Sequence, residues 1–224
     1  MKKILIATTN KDKYKIVKYL LARAGLNEAE YMYQSLEDIS YNGADKKEQG
    51  SIEMRAEMKA RAIKEYLKDN DYEYIIGIDD GIYIKGGLQE NIKDYIKKIL
   101  YENYLSNGEE YAFYRAYCVI TKDGEVFKTE TKIPYSYKAK ENAELKPNSY
   151  PLSQISVPVG YDKALTDLSE DEANEYTWNN SKEKIIELIR AIKMQWKRIY
   201  CSTMSWTKRR IKWKKEIYMT KTKI

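Results

Sequence analysis

The chain has 224 residues, enough for one large α/β domain or a domain with an appendage, and its 40 Lys and Arg against 34 Asp and Glu give a net charge of +6. It has no His and two Cys, Cys118 and Cys201. That composition excludes His-based triads and His metal sites, argues against zinc and a disulfide framework, and points to a reduced, cytoplasmic protein. No apolar run is long enough to span a bilayer, the run at Ile4–Ala7 is too short for a signal peptide, and any metal is expected to be a hard cation on carboxylates, such as Mg²⁺.

In chain order, Met1 to Ala7 reads as a buried strand. A polar turn, Thr8-Thr9-Asn10-Lys11-Asp12-Lys13, leads from it into an amphipathic helix carrying Ile16, Val17, Leu20, Leu21 and Ala24. Such a turn can hold a phosphate, because the helix N-terminus offers unpaired N–H groups and partial positive charge, and Lys13 adds a full charge. Taken alone, the segment is better read as an ordinary polar βα connection. Tyr31–Ser35 is a second strand. A helix from Ser51 to Leu67 turns Ile52, Ala56, Ala60, Ile63 and Leu67 inward, and Lys59 on it is in reach of a phosphate or else on a solvated face.

Tyr74-Ile75-Ile76-Gly77-Ile78 is a buried strand expected to end at Asp79-Asp80-Gly81, where ligands sit in open α/β sheets. Two carboxylates there suit Mg²⁺ or a placed water, and Glu48 is a third nearby; the plainer reading is an Asp/Gly turn. Gly86-Gly87 marks a turn, and Ile92, Tyr95, Ile96, Ile99 and Leu100 keep helical spacing. Ala116–Thr121 and Val126–Ile133 form a hairpin around Lys122-Asp123-Gly124. Tyr150–Val159 is extended or looped. Ser169-Glu170-Asp171-Glu172 is a capping box for a short helix, and a last long helix is expected to start near Asn180 or Ser181.

The positive charge is concentrated at one end. Residues 195–224 hold ten Lys or Arg and one Glu, with Trp196, Trp206 and Trp213, while residues 1–194 are slightly acidic overall. Basic residues interleaved with aromatics suit nucleic acid, an anionic membrane surface or an acidic protein. They equally suit a helix docked on its own domain or another subunit. Docking or a protein partner is favoured over nucleic acid, because no nucleic-acid-binding motif accompanies the charge. The expected division is a domain at 1–194 and a basic, Trp-rich extension at 195–224.

The order strand–TxNxxK–helix, then Glu48-Gln49-Gly50 before a helix with Ser51-Ile52-Glu53 and Lys59, then a strand reaching Asp79-Asp80, then Gly86-Gly87, resembles the inosine triphosphate pyrophosphatase family over roughly residues 1–192. The resemblance implies an elongated α/β fold with a mixed central sheet flanked by helices and a central nucleotide cleft. It further implies a homodimer and Mg²⁺-dependent cleavage of ITP, dITP or XTP to monophosphate and pyrophosphate. Carried over by position, Thr8, Asn10 and Lys13 would form the phosphate loop. Lys59 would contact the triphosphate, and Glu48 and Asp80 would hold metal. Asp79 and Asp80 would form the catalytic pair, and Arg115 to Val119 would match a central strand.

The base-reading positions depart from that pattern. Tyr150-Pro151-Leu152-Ser153-Gln154 replaces an aromatic-Gly-aromatic-Asp-Pro run, Thr177-Trp178-Asn179 replaces Ser-His-Arg, and Met54-Arg55 replaces Glu-Asn. Leu152, Trp178 and Asn179 are the residues left to hold a base, the last two by stacking and amide hydrogen bonds. Loosening the base misplaces the scissile bond, and about 1 Å of misplacement costs on the order of a hundredfold in rate. Binding is therefore expected to outlast turnover. The favoured reading is a sensor or regulatory subunit for an inosine-type triphosphate, by analogy with family-like proteins in anti-phage systems. The alternatives are an active Mg²⁺-dependent pyrophosphatase, and a structural or nucleic-acid-binding protein that has lost the pocket.

Overall fold

The computed structural model describes residues 1–41, 50–67, 71–139 and 151–194. The extension at 195–224, with its three Trp, lies outside the described residues, as do Glu48 and Tyr150. Among the described residues no helix is long and apolar enough to cross a membrane.

Among the described residues, seven strands form one mixed sheet. β1 (Lys2–Ala7) lies between β2 (Tyr31–Gln34) and β3 (Tyr72–Ile84), parallel to both. A strand paired on both edges and covered on both faces must be apolar throughout, and Ile4 to Ala7 are all buried. The other edge of β3 pairs antiparallel with β5 (Glu110–Thr121), followed by β6 (Val126–Tyr137) and β7 (Ser156–Pro158). A short β4 (Gly87–Gln89) folds back on the last residues of β3. The expected hairpin is thus present, with longer arms than the apolar runs suggested.

α1 (Lys11–Arg23) buries Val17, Leu20 and Leu21, the three- and four-residue spacing of an apolar stripe. On the opposite face, α2 (Ile52–Leu67) lays Ile52, Ala56, Ala60 and Ile63 on β3 and β5. Ala56 and Ala60 are small because the helix runs directly over Gly77. α3 (Ile92–Tyr101) packs Ile99 against Ile82 and Ile84 at the far end of β3.

Two sequence-based boundaries are corrected. The Asp pair does not end its strand: β3 continues to Ile84, because Asp80 and Gly81 stay in register with Arg115 and Tyr114 of β5. The chain is also helical without interruption over 170–194 (α4), not as a short helix followed by a long one. Thr177 Oγ1 donates to the Ala173 carbonyl at 2.9 Å and Asn180 Nδ2 to the Tyr176 carbonyl at 2.9 Å. These polar side chains bond back along the helix instead of capping a new one. The capping box is present: Glu172 accepts from the Ser169 N–H and hydroxyl, and Ser169 Oγ accepts from the Glu172 N–H. Ser169→Ala is expected to lower stability by about 1 kcal/mol, read as a shift of the urea midpoint with unchanged slope.

Candidate functional site

The strand pairings leave a gap along one edge of β3. On one edge of β3, β1 covers the strand up to Gly77 (opposite Ala7) and β4 resumes at Ile82 (opposite Gln89). Residues Ile78 to Gly81 lie between these partners, where neither strand is paired with β3. The turn from β1 into α1 leaves the sheet at this point, and the Asp pair sits in the opening.

Alternation along a strand sends consecutive side chains to opposite faces. Asp79 faces α2, where Oδ2 accepts from Arg55 Nε at 2.6 Å and Oδ1 pairs with Lys59 Nζ at 2.7 Å. Asp80 faces α1. Its Oδ1 accepts from Arg115 Nε at 2.7 Å, and its Oδ2 meets Arg115 Nη2 at 3.1 Å and Lys13 Nζ at 3.0 Å. Two carboxylates are thus held by four cations. All six side chains are largely buried, from 11% exposed for Asp79 to 25% for Lys59. Burial alone pushes the Asp80 carboxyl up, but Arg115 and Lys13 outweigh it and hold it well below the usual carboxylate range. Burial likewise acts to lower the Arg115 titration, and the Asp80 charge reverses that.

Around this centre, Arg55 Nη1 and Nη2 donate to the carbonyls of Gly50 at 2.9 Å and Glu90 at 2.8 Å. The Tyr114 hydroxyl donates to Glu53 at 2.6 Å and lowers that carboxyl's titration. Asn10 is the N-cap of α1, its Oδ1 accepting the Lys13 N–H at 2.9 Å, and the Asn10 N–H donates to Thr8 Oγ1 at 3.2 Å. Both side chains are therefore engaged in shaping the turn. Cys118 packs in the core, and burial pushes its thiol up to about 11, which removes it as a nucleophile.

The residues expected to hold a base are not gathered there. Leu152 is fully buried in a cluster with Ile82, Ile99 and Tyr135 and presents no surface to a ligand. Trp178 belongs to a different cluster, with Val17, Leu20 and Leu21, and its ring lies 4.9 Å from the Arg23 guanidinium carbon. Asn179 is exposed on α4, bonded to Glu175 and Lys182 at 3.2 Å each. The Leu and Trp substitutions thus read as core packing, which sequence pattern alone could not distinguish from stacking.

A resident divalent cation requires open carboxylate oxygens. Among the described residues no group of three His, Cys, Asp or Glu is placed to hold a metal, and the four oxygens of Asp79 and Asp80 already face guanidinium or ammonium groups. Asp79 and Asp80 also project from opposite faces of β3, so they do not converge on one ion. Of the expected metal ligands, Asp80 is held by Arg115 and Lys13, and Glu48 lies outside the described residues.

Arg55 was the least legible participant. The sequence marks it only as a departure from the family pattern, yet Arg55 and Lys59 stand four residues apart, one turn of α2, beside its buried stripe. That spacing is the signal that two cations share a target.

The fold is that of the Ham1-like nucleoside triphosphate pyrophosphatases. Solved structures similar to the chain include the Ham1 protein of Staphylococcus aureus, at 17% identity over 87% of this chain and 99% of that one, with a TM-score of 0.57. A HAM1 protein of Coxiella burnetii matches at 14% identity over 87% and 100% of the two chains, TM-score 0.56. A nucleoside-triphosphatase described as a dITP/XTP pyrophosphatase from Mycobacterium abscessus matches at 19% identity over 80% and 95%, TM-score 0.52. At these identities the likeness is one of fold. No protein-family model matches the chain, and no curated protein matches it in sequence.

Proposed function

We propose that the opening beside β3 binds the phosphates of a nucleoside triphosphate of the inosine type, such as dITP or ITP, and holds the nucleotide without efficient turnover. The observation that carries this reading is the excess of cations: Lys13, Arg115, Lys59 and Arg55 surround two carboxylates at a stretch of β3 that lacks a partner on one edge. Such a surplus is suited to a polyanion, and partial burial strengthens the attraction. The Ham1-like fold supports the substrate class, since one fold neighbour is described as a dITP/XTP pyrophosphatase.

In this reading Lys13 and Lys59 swing part of their charge to the phosphates, with Thr8 and Asn10 shaping the turn that receives them. Asp79 and Asp80 aim the four cations. Hydrolysis of a phosphoanhydride needs an aligned water and a base to take its proton. Asp80, pulled to low titration by Arg115 and Lys13, is a weak base. A sensing or regulatory role, with a homodimer and a protein partner reached through residues 195–224, extends the same proposal. The Trp and basic residues of that segment are its support.

The test is calorimetric titration of the full chain with dITP, ITP, XTP and dATP, with pyrophosphate release measured on the same samples. Triphosphate binding with little release is expected, and Lys13→Ala should weaken it about tenfold or more. A folded protein that binds none of the four would overturn the reading. Rapid pyrophosphate release that Asp80→Asn abolishes would establish the pyrophosphatase alternative instead.

A further inference from the structure

The two ends of β6 show which of its backbone groups turn away from β5. Just before the strand, the Glu125 carbonyl accepts from the Thr121 N–H at 2.9 Å. At its last residue, the Tyr137 N–H donates to the Glu109 carbonyl at 2.9 Å, and the Tyr137 carbonyl accepts from the Gly108 N–H at 2.7 Å. Between these points the two strands pair one to one, from Val126 opposite Ile120 to Ser136 opposite Glu110. Odd-numbered residues of β6 therefore bond toward β5, and even-numbered ones turn N–H and C=O outward. At the far end the outward groups are used. The Lys138 N–H donates to the Ile155 carbonyl at 2.9 Å, Ser136 lies opposite Val157 of β7, and the Pro134 carbonyl accepts from the Tyr176 hydroxyl. Among the described residues no strand pairs with the same edge at Val126, Lys128, Glu130 and Lys132. The last three side chains are exposed and alternate in charge.

Charges on a free edge usually deter a second strand. Two copies of β6 meeting antiparallel across a two-fold axis must match outward residues to outward residues. With Lys128 or Glu130 opposite its own copy, like charges face each other. With Thr129 on the axis, each Lys128 instead faces Glu130 of the second copy, and Val126 faces Lys132. We propose that the edge of β6 from Val126 to Lys132 is the contact surface for a second copy of this chain, paired antiparallel about Thr129 into one continuous sheet. The pairing supplies about eight main-chain hydrogen bonds and two directly opposed Lys–Glu pairs. Lys128 is already held by Glu57 of its own α2, so it is in place for the second carboxylate. β5 and β6 lie on the other side of β3 from the gap at Ile78 to Gly81, and the contact leaves that gap open. The inference deepens the homodimer part of the proposed function and does not depend on what the cleft binds.

The experiment is sedimentation equilibrium of the nucleotide-free full chain. Wild type should be dimeric. Glu130→Lys sets Lys against Lys at both pairs, and Lys128→Glu sets Glu against Glu. Each alone should weaken the dimer at least about tenfold. An equimolar mixture of the two variants restores Lys opposite Glu at every pair and should regain dimers of wild-type affinity. Glu130→Pro should be folded and monomeric, because the strand already carries Pro134 at an equivalent outward position. Thermal melts confirm that each variant is folded; if Lys128→Glu is not, Glu130→Pro and Glu130→Lys carry the test. A wild type that stays monomeric at about 100 µM would overturn both this inference and the homodimer. A wild-type dimer unchanged in folded Glu130→Lys and Glu130→Pro would overturn this interface alone. Neither outcome bears on triphosphate binding, which is read by calorimetry on separate samples.

Discussion

Gly77→Ala is expected to destabilise the fold severely. A Cβ at this position would lie 1.9 Å from the Ala56 carbonyl oxygen and 2.8 Å from the Ala60 backbone nitrogen. Those atoms are the frame of α2 and cannot rotate aside as a side chain can. The strand cannot retreat either, since Gly77 is paired with Ala7 on one edge and Cys118 on the other. The helix must lift, and Ile52 and Ile63 lose contact with the sheet. Overpacking against backbone is expected to cost on the order of 3 kcal/mol or more, a large share of the roughly 5–15 kcal/mol that stabilises a domain. Gly86→Ala is the contrast. Nothing lies within 4 Å of its Cβ, and only its φ of +77° resists substitution, so about 1 kcal/mol is expected. Urea unfolding of the two variants separates crowding from conformation; equal losses would refute the close helix–strand contact.

Asp80→Asn should be the most damaging change that leaves shape intact. It removes the charge that Arg115 and Lys13 share while keeping both cations in place. Breaking a buried pair by deleting one partner typically costs about 3–5 kcal/mol, and the 15–23% exposure of these three side chains places the expectation near the lower end. The pH dependence has a definite sign. The folded Asp80 carboxyl is held below its unfolded value, so its contribution is complete above about pH 4, where the unfolded carboxyl is also ionised. As the pH falls from there toward Asp80's own depressed range, the contribution is progressively lost. The urea midpoints of wild type and Asp80→Asn should therefore differ most near pH 7 and converge below pH 4. A constant gap down to pH 3 would mean that the charge of Asp80 is not what stabilises the fold.

The alternation of elements was readable because burial imposes it. Ile4 to Ala7 and Tyr74 to Ile78 had to be strands covered on both faces, and the Ile52, Ala56, Ala60, Ile63 stripe had to be a helix face. What escaped the sequence were the places where polar residues are satisfied by distant partners. Asp79-Asp80-Gly81 looks like a strand end until Arg115 arrives from β5, 35 residues later. Asn180 looks like a helix start until its side chain bonds back to the Tyr176 carbonyl in the preceding turn. For the site, Lys13, Lys59 and the Asp pair were visible from their order in the chain. The sorting of the two carboxylates onto opposite faces follows from the strand continuing through them. Leu152 and Trp178 are ambiguous in sequence because an apolar residue at a ligand position and one in a core have the same chemistry, and both lie in core clusters here.

The length of β3 also bears on how the molecule opens. Tyr74, Ile76 and Ile78 belong to one core cluster, Tyr72 and Ile75 to a second, and Ile82 and Ile84 to a third. One strand therefore runs through all three, and none of the clusters can come apart without disturbing it. The amide protons of β3 that are hydrogen-bonded to β1 or β5, and their counterparts on β5, should exchange with solvent deuterium only through global opening, at one common and slowest rate. The amides of β4 and β7, each three residues long and paired along one edge, should exchange sooner through local fraying. The one-sided gap at Ile78 to Gly81 is then bordered by the most slowly exchanging strands, so a ligand that binds there meets a frame that is already rigid.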